Sequence, residues 1–348
     1  MNTQDHPALM LFAELLAYPS PSSMENRLAA HIVDRLRGWG YAPQQDAVGN
    51  VWVRLAGRNP AAPLVCYAAH MDEIGLTVHA IEADGQLRVG PSGGLFPWKL
   101  GEAPVEILGD RSTITGVLAM GAGHGAGEQA ITWADVRVLT GLTPVQLAAA
   151  GVRPGSLGAP LRAHRGPVLF GDAADPLVAA WTFDDRMGVV TLLRLLERLA
   201  TDNLQPAHPT LVAFTVQEEV GGMGAKVLAL RERPEVFIAI DGCPIPPGAP
   251  LQLDGRPGIW TRDRRAPYDP RLIVDLCAAA MAAGTELQPV AYDVSASDAS
   301  MVFEMGGAAR IACFGQVRAN SHGYEVARLA VFDNMLRTLL HFVTTWEQ

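Results

Sequence analysis

A chain of 348 residues, 49% hydrophobic and 18% charged, has the apolar content of a globular core and is excluded from the disordered class. Its formal net charge is −9 and it carries no dense Lys/Arg block, which excludes nucleic acid as the expected partner. The length suggests about two domains. Cys66, Cys243, Cys277 and Cys313 are scattered in or beside apolar runs, without C-x-x-C spacing, as small core residues of a reducing compartment would be. The N-terminal stretch has no basic region and Glu14 breaks its apolar run, so no signal peptide is expected. No apolar run reaches the ~18 residues of a membrane span, so a cytoplasmic protein without a membrane partner is expected.

In chain order, Leu9, Phe12 and Leu16 mark a short helix over 8–17, stopped by Pro19 and Pro21. Ser22-Ser-Met-Glu25 has capping-box form and predicts a helix running to Gly38. Strands follow at Val51–Leu55, after a Gly49-Asn50 turn, and at Leu64–His70. From 74 to 176 the texture changes to short alternating segments split by Asp84-Gly85, Pro91, Gly93-Gly94 and Gly109-Asp110, which predicts a small antiparallel β domain. The run Gly121-Ala-Gly-His-Gly-Ala-Gly127 lacks the Gly-Lys-Ser/Thr ending of a phosphate loop and reads as a flexible loop. Thr143-Pro144 opens a capped helix to Ala150, and a turn covers 151–155.

Alternating strand and helix patterns then return. Strands are expected at Leu177–Phe183, Leu211–Val216, Val236–Ile240, Val290–Val294 and Arg310–Phe314. Helices are expected after Asp184-Asp185, near 223–231 and 270–283, from Ser297-Asp298 to Met305, and from Ala327 to Trp346. The fold class is thus α/β, a mixed, largely parallel sheet flanked by helices, interrupted by a small β-barrel or sandwich. The expected division is a catalytic unit in two parts, 1–73 and 177–348, around an inserted β domain, 74–176.

Open α/β sheets bind ligands beyond the carboxyl ends of their strands. His70, Asp184/Asp185, Glu218/Glu219, Asp241 and His322 all follow strands and are expected at one such edge. Two histidines and several carboxylates, without a thiolate, suit zinc, cobalt or manganese. The set is too large for one catalytic zinc and fits a pair of divalent ions sharing a carboxylate. One carboxylate must then stay free to carry a proton from water to a leaving amine. Glu218 and Glu219 supply a ligand and a base, and spacing does not say which is which.

His70-Met-Asp-Glu-Ile-Gly75, Phe183-Asp-Asp-Arg186, Val216-Gln-Glu-Glu-Val-Gly221, Ile240-Asp241 and Ser321-His322 resemble the motifs of TET-type glutamyl and deblocking metalloaminopeptidases. These belong to the clan of di-zinc carboxypeptidases and deacylases. The resemblance runs over nearly the whole chain and implies two divalent ions per subunit, zinc first, with cobalt or manganese also suited. It implies that His70 and Asp241 each hold one metal, with Asp184 bridging. Glu219 joins one side and His322 the other. Glu218 is left as general base and Asp72 orients His70. It also implies a peptide or small amide substrate, and a hollow homo-oligomer, usually a dodecamer built from dimers, to which the inserted domain contributes.

The chain departs from the family pattern at Ser295-Ala-Ser-Asp-Ala299, Gly242-Cys243-Pro244 and Gly323-Tyr324-Glu325. Asp298, Cys243 and Tyr324 are therefore the candidate substrate-binding positions. The leading expectation is an aminopeptidase removing N-terminal residues from peptides. A di-metal deacylase or dipeptidase for a small N-acyl or dipeptide-like metabolite is the second reading. A non-catalytic metal-binding scaffold is the third, disfavoured by the retained Glu218.

Overall fold

The computed structural model describes residues 6–121 and 130–348. The glycine run expected to form a loop therefore lies outside the described residues beyond Gly121. The centre of the molecule is an eight-stranded sheet in the spatial order 44–45, 51–55, 210–215, 65–70, 236–240, 310–315, 258–262, 288–291. The four central strands, Thr210–Thr215, Val65–His70, Val236–Ile240 and Arg310–Gly315, run parallel, and antiparallel strands flank them. Every residue of Val65–His70, Thr210–Thr215 and Val236–Ile240 is buried, as strands covered on both faces must be. The long helix Phe183–Thr201 and the helices Pro7–Leu15, Asn26–Gly38, Pro270–Ala282 and Ala330–Thr345 form one apolar core with one face of the sheet. Met223–Glu232 and Asp298–Glu304 cover the other.

A closed six-stranded antiparallel barrel is built from strands between Gly75 and Pro160. Along Thr113–Ala119 exposed and buried residues alternate, so the same period that marks the segment as strand also places Ile114 and Leu118 inside. Thr143 caps the helix Pro144–Ala150 through a reciprocal bond with Gln146, as its sequence predicts. The barrel joins the main sheet through a buried charge network. Glu73 accepts the Ser20 amide at 2.8 Å, the Arg165 guanidinium at 3.0 Å and the Trp181 indole N–H at 3.1 Å. No described helix is long and apolar enough to cross a membrane.

Four sequence expectations need correction. Leu177–Trp181 is not in the large sheet. It lies in a separate five-stranded sheet with Val168–Phe170, Tyr324–Arg328, Val317–Ala319 and Cys243–Pro244. An apolar run identifies a strand but not its partners. The last helix starts at Ala330, because Glu325 and Ala327 alternate in burial along a strand instead of continuing a helical face. The strand expected at 290–294 is Gln288–Ala291, and Gly258–Arg262, beside it, was not foreseen. The capping box at Ser22–Glu25 does not form. Ser22 Oγ instead donates to Asp72 at 2.7 Å, and Glu25 accepts the amides of Ser23 and Gln217 at 3.0 and 3.1 Å. The local cap signal yields to a neighbouring loop that needs those side chains more.

Candidate metal centre

The site lies where the two sheets meet. His70 ends one central strand, Asp241 follows the next, and Glu218 and Glu219 follow Thr210–Thr215 on the other side. Parallel pairing sets His70 level with Thr215, three residues before Glu218. Asp184 and His322 arrive from the smaller sheet, after Leu177–Trp181 and before Tyr324–Arg328. The five positions thus converge from two sheets, not from one. Thr182, Gln217 and His322 all adopt positive φ near 60°, so backbone strain accompanies three of the turns that deliver these groups.

His70 turns Nδ1 to the Asp72 carbonyl at 3.0 Å and leaves Nε2 facing Asp184 Oδ1 at 3.2 Å. His322 donates Nδ1–H to the carbonyl of Gly94, on the barrel side, at 2.9 Å. Its Nε2 is left 3.4 Å from Asp184 Oδ2 and 3.6 Å from Glu219 Oε2. A carbonyl can only accept, so each ring carries a proton on its outer nitrogen, and the inner nitrogen is the one that a bound cation, by displacing its proton, could use as a ligand. The potential ligand atoms fall into two groups, His70–Asp184–Asp241 and Asp184–Glu219–His322, with the atoms of each within 4.8 Å of one another. Asp184 is common to both. This corrects the expected distribution: His70 shares a group with Asp241, and Glu219 with His322.

The charge balance fits two cations. Burial pushes the Glu219 and Asp241 carboxyls up to about 7, and the Glu218 carboxyl well above its usual range. Burial would also raise Asp184, but Arg318, His322 and His70 around it hold that carboxyl well below the carboxylate range. Glu219's negative charge, opposed by burial, lifts the His322 imidazole to about 10. Glu219 Oε1 is buried without a hydrogen-bond partner. Nitrogen and oxygen donors in two triplets with one shared carboxylate are ligand types that suit divalent metal ions. Glu218 belongs to neither triplet, its Oε2 lying 4.0 Å from His70 Nε2.

The site opens into a cleft of about 1080 Å³, with Asp184, Glu218, Glu219 and Asp241 in its lining and Phe96 and Tyr292 in its walls. The three candidate substrate positions are not in that lining. Cys243 is fully buried in the core formed with Trp260 and Val317. Tyr324 faces a separate cavity with Lys99 and His164. Asp298 is buried behind the strand end, where it accepts the Thr215 hydroxyl at 2.7 Å. These three were marked by lying in segments that depart from the family pattern, and a place in the chain does not decide which way a side chain turns.

Two charged residues at the site were not foreseen. Arg318 forms an ion pair with Asp184 and another with Glu325 at 2.8 Å, and Glu325 accepts the Asp184 amide at 2.9 Å. Both are almost completely buried. Their one sequence signal is that a charge of each sign flanks His322.

An α/β sheet bearing a shared-carboxylate donor set and an inserted barrel defines a metallohydrolase-like class. Residues 49–337 match the model of the M42 glutamyl aminopeptidase family, and the chain belongs to that family. It is 32% identical to the glutamyl aminopeptidase of Lactococcus lactis over 238 residues, which are 64% of this chain and 63% of that protein. It is 31% identical to the lysyl aminopeptidase of Pyrococcus furiosus over 244 residues, 66% of this chain and 65% of that one. The matched region thus spans less than two thirds of either relative. Among solved structures, a TET peptidase of Pyrococcus horikoshii, described as able to assemble into a tetrahedron or a large octahedral shell, superposes with a TM-score of 0.85 at 25% identity. That match covers 97% of this chain and 100% of the other.

Proposed function

We propose that the chain is a metal-dependent aminopeptidase that hydrolyses N-terminal residues from peptides, with two divalent ions held by His70, Asp184, Glu219, Asp241 and His322. The observation that carries this reading is Asp184 standing in both donor triplets while Glu218, beside them, stands in neither. Two bound ions would supply a water of lowered pKa and polarise the scissile carbonyl. Glu218 takes a proton from the attacking water and passes it to the leaving amine. Its burial raises its proton affinity, which suits a group that must hold a proton between those two transfers. Asp72 fixes the tautomer of His70 and the backbone of the glutamate pair.

Family membership and the resemblance of the motifs support a free amino terminus as the recognised group, and the TET neighbour supports assembly into a homo-oligomer. We assign the catalytic unit to 1–73 and 177–348, and a part in assembly to the inserted 74–176. The test is a panel of aminoacyl anilides and short peptides, free and N-acetylated, on protein stripped of metal and refilled with zinc, cobalt or manganese. Metal-dependent cleavage confined to free amino termini supports the reading. Cleavage confined to acylated substrates would replace it with a deacylase.

A further inference from the structure

A second cavity, of about 370 Å³, meets the cleft at Lys99, which lines both. The two differ in charge. Asp184, Glu218, Glu219 and Asp241 line the cleft, whereas the smaller cavity is lined by Lys99, His164 and Tyr324 among apolar residues, with no carboxylate. In a chain of net charge −9 such a cavity is not the default. Among the described residues Lys99 makes no ion pair, so its charge is open to a ligand. Two contacts between barrel and ligand loop fix its place. His322 donates Nδ1–H to the Gly94 carbonyl at 2.9 Å. The Lys99 stem runs along Gly323, the next residue, so closely that a Cβ there would stand 3.2 Å from Lys99 Cδ. Lys99 thus neighbours the metal-ligand loop and belongs to neither donor triplet. On the same barrel segment Phe96 lines the cleft, 53% exposed and stacked on Trp98 at 4.6 Å.

We infer that Lys99 binds the C-terminal carboxylate of short peptides, the smaller cavity receiving their last residue, in the aminopeptidase proposed above, on which this inference rests. A short peptide carries a positive amine at one end and a negative carboxylate at the other. The acidic cleft and the cationic cavity match that order: the amine end sits among carboxylates, and the carboxylate end, repelled there, is drawn to Lys99. His164 and Tyr324 add an N–H and an O–H to the same cavity, for the lone pairs that one ammonium leaves unsatisfied. Phe96 offers the intervening residues an apolar face. An extended chain advances at most ~3.3–3.6 Å per residue. Only peptides of a narrow range of lengths therefore place a carboxylate at Lys99 while their first peptide bond lies at the donor cluster. Longer ones present a neutral amide at that point. The enzyme then selects by the far end of the substrate, separately from its choice of N-terminal side chain.

The test uses peptides of two to six residues with neutral side chains, each as free acid and as C-terminal amide, beside neutral and acidic aminoacyl anilides. Metal-loaded wild-type protein and Lys99→Met are compared; methionine keeps a stem against Gly323 and removes the charge. The readout is the acid-to-amide ratio of kcat/KM at each length, in low and in high salt. In the wild type the ratio is expected to reach ~10 at one length or two adjacent ones, through KM, the size of one charge-assisted hydrogen bond. Salt should compress it, and Lys99→Met should bring it near 1 at every length. If the variant fails to fold, the wild-type ratio and its salt dependence still decide. A wild-type ratio near 1 throughout would overturn the inference, and so would a ratio that survives in Lys99→Met. A defect of the variant confined to acidic anilides would overturn it too, making Lys99 an anchor for the first side chain. Wild-type protein that cleaves anilides but ignores the C-terminal carboxylate keeps the hydrolysis and loses this inference; protein that cleaves neither anilide nor peptide loses both.

Discussion

Asp72 and Glu218 are joined through the backbone: Asp72 Oδ1 accepts the Glu218 amide at 2.9 Å, and Oδ2 accepts the next amide, of Glu219, at 3.2 Å. The same carboxylate receives Ser22 Oγ at 2.7 Å and stands 3.4 Å from His70 Nδ1. Burial opposes its ionisation, but the bonds from His70, Ser22 and Glu218 hold its pKa below the usual value. One buried carboxylate thus fixes the backbone of both adjacent glutamates and lies beside a ligand histidine whose Nδ1–H is held by the Asp72 backbone carbonyl. Asp72→Asn substitutes a donor for an acceptor against these N–H groups. Metal affinity is expected to fall ~10–100-fold, with kcat falling as well, by metal titration and steady-state kinetics.

Because Asp184 stands in both triplets and His322 in one, their substitutions should differ in kind. His322→Ala is expected to weaken one ion and leave the His70–Asp184–Asp241 triplet able to hold the other. Asp184→Asn should weaken both. Metal counting by mass spectrometry after dialysis checks this, and an equal effect of the two changes would contradict the shared role.

Glu25 gives a stability signature separate from the ligands. Burial first, then the charge of Asp72, raises its carboxyl to about 7. A carboxyl raised in the folded state keeps its proton after the unfolded chain has lost its own, so folding stability falls as pH rises from about 4.5 to about 7 and is level above that. Between pH 5 and 8 the protein should lose on the order of 2 kcal/mol relative to Glu25→Gln, which keeps the acceptor for Ser23 and Gln217 but does not titrate. Urea unfolding of both proteins at the two pH values measures the difference.

At the junction of barrel and sheet, Glu73 and Arg165 are completely buried and paired at 3.0 Å. Glu73→Gln leaves the Arg165 charge with only partial compensation from Glu106, at 3.2 Å. The expected loss is about 3–5 kcal/mol in denaturant unfolding, the usual cost of breaking a buried ion pair from one side.

Much of this was readable in the chain. The central strands announce themselves by unbroken apolar runs, and the chemistry-bearing residues follow those runs because strand ends are where an α/β sheet exposes its ligands. That logic holds for His70, Glu218, Glu219 and Asp241, whereas Asp184 and His322 reach the site from the second sheet. What the pattern does not carry is pairing between distant segments. Tyr324–Arg328 is a strand through its pairing with Leu177–Trp181 and Val317–Ala319, and the first of these pairings brings His322 to Asp184. Side-chain direction is equally silent: Cys243 and Tyr324 flank ligands in sequence and face away from them in space. Arg318 needed three dimensions, since only the folded chain shows it filling the space above Gly242.

The proposed catalysis depends on the division of labour between adjacent glutamates, and Glu218→Gln tests it most directly. The measurement is bound metal and kcat on the same preparation of the variant. The prediction is two ions retained per chain and turnover reduced by ~10³-fold or more, within the range for losing a general base. A variant that loses its ions would make Glu218 a ligand, and one that keeps both ions and full turnover would leave the proton transfer to another group.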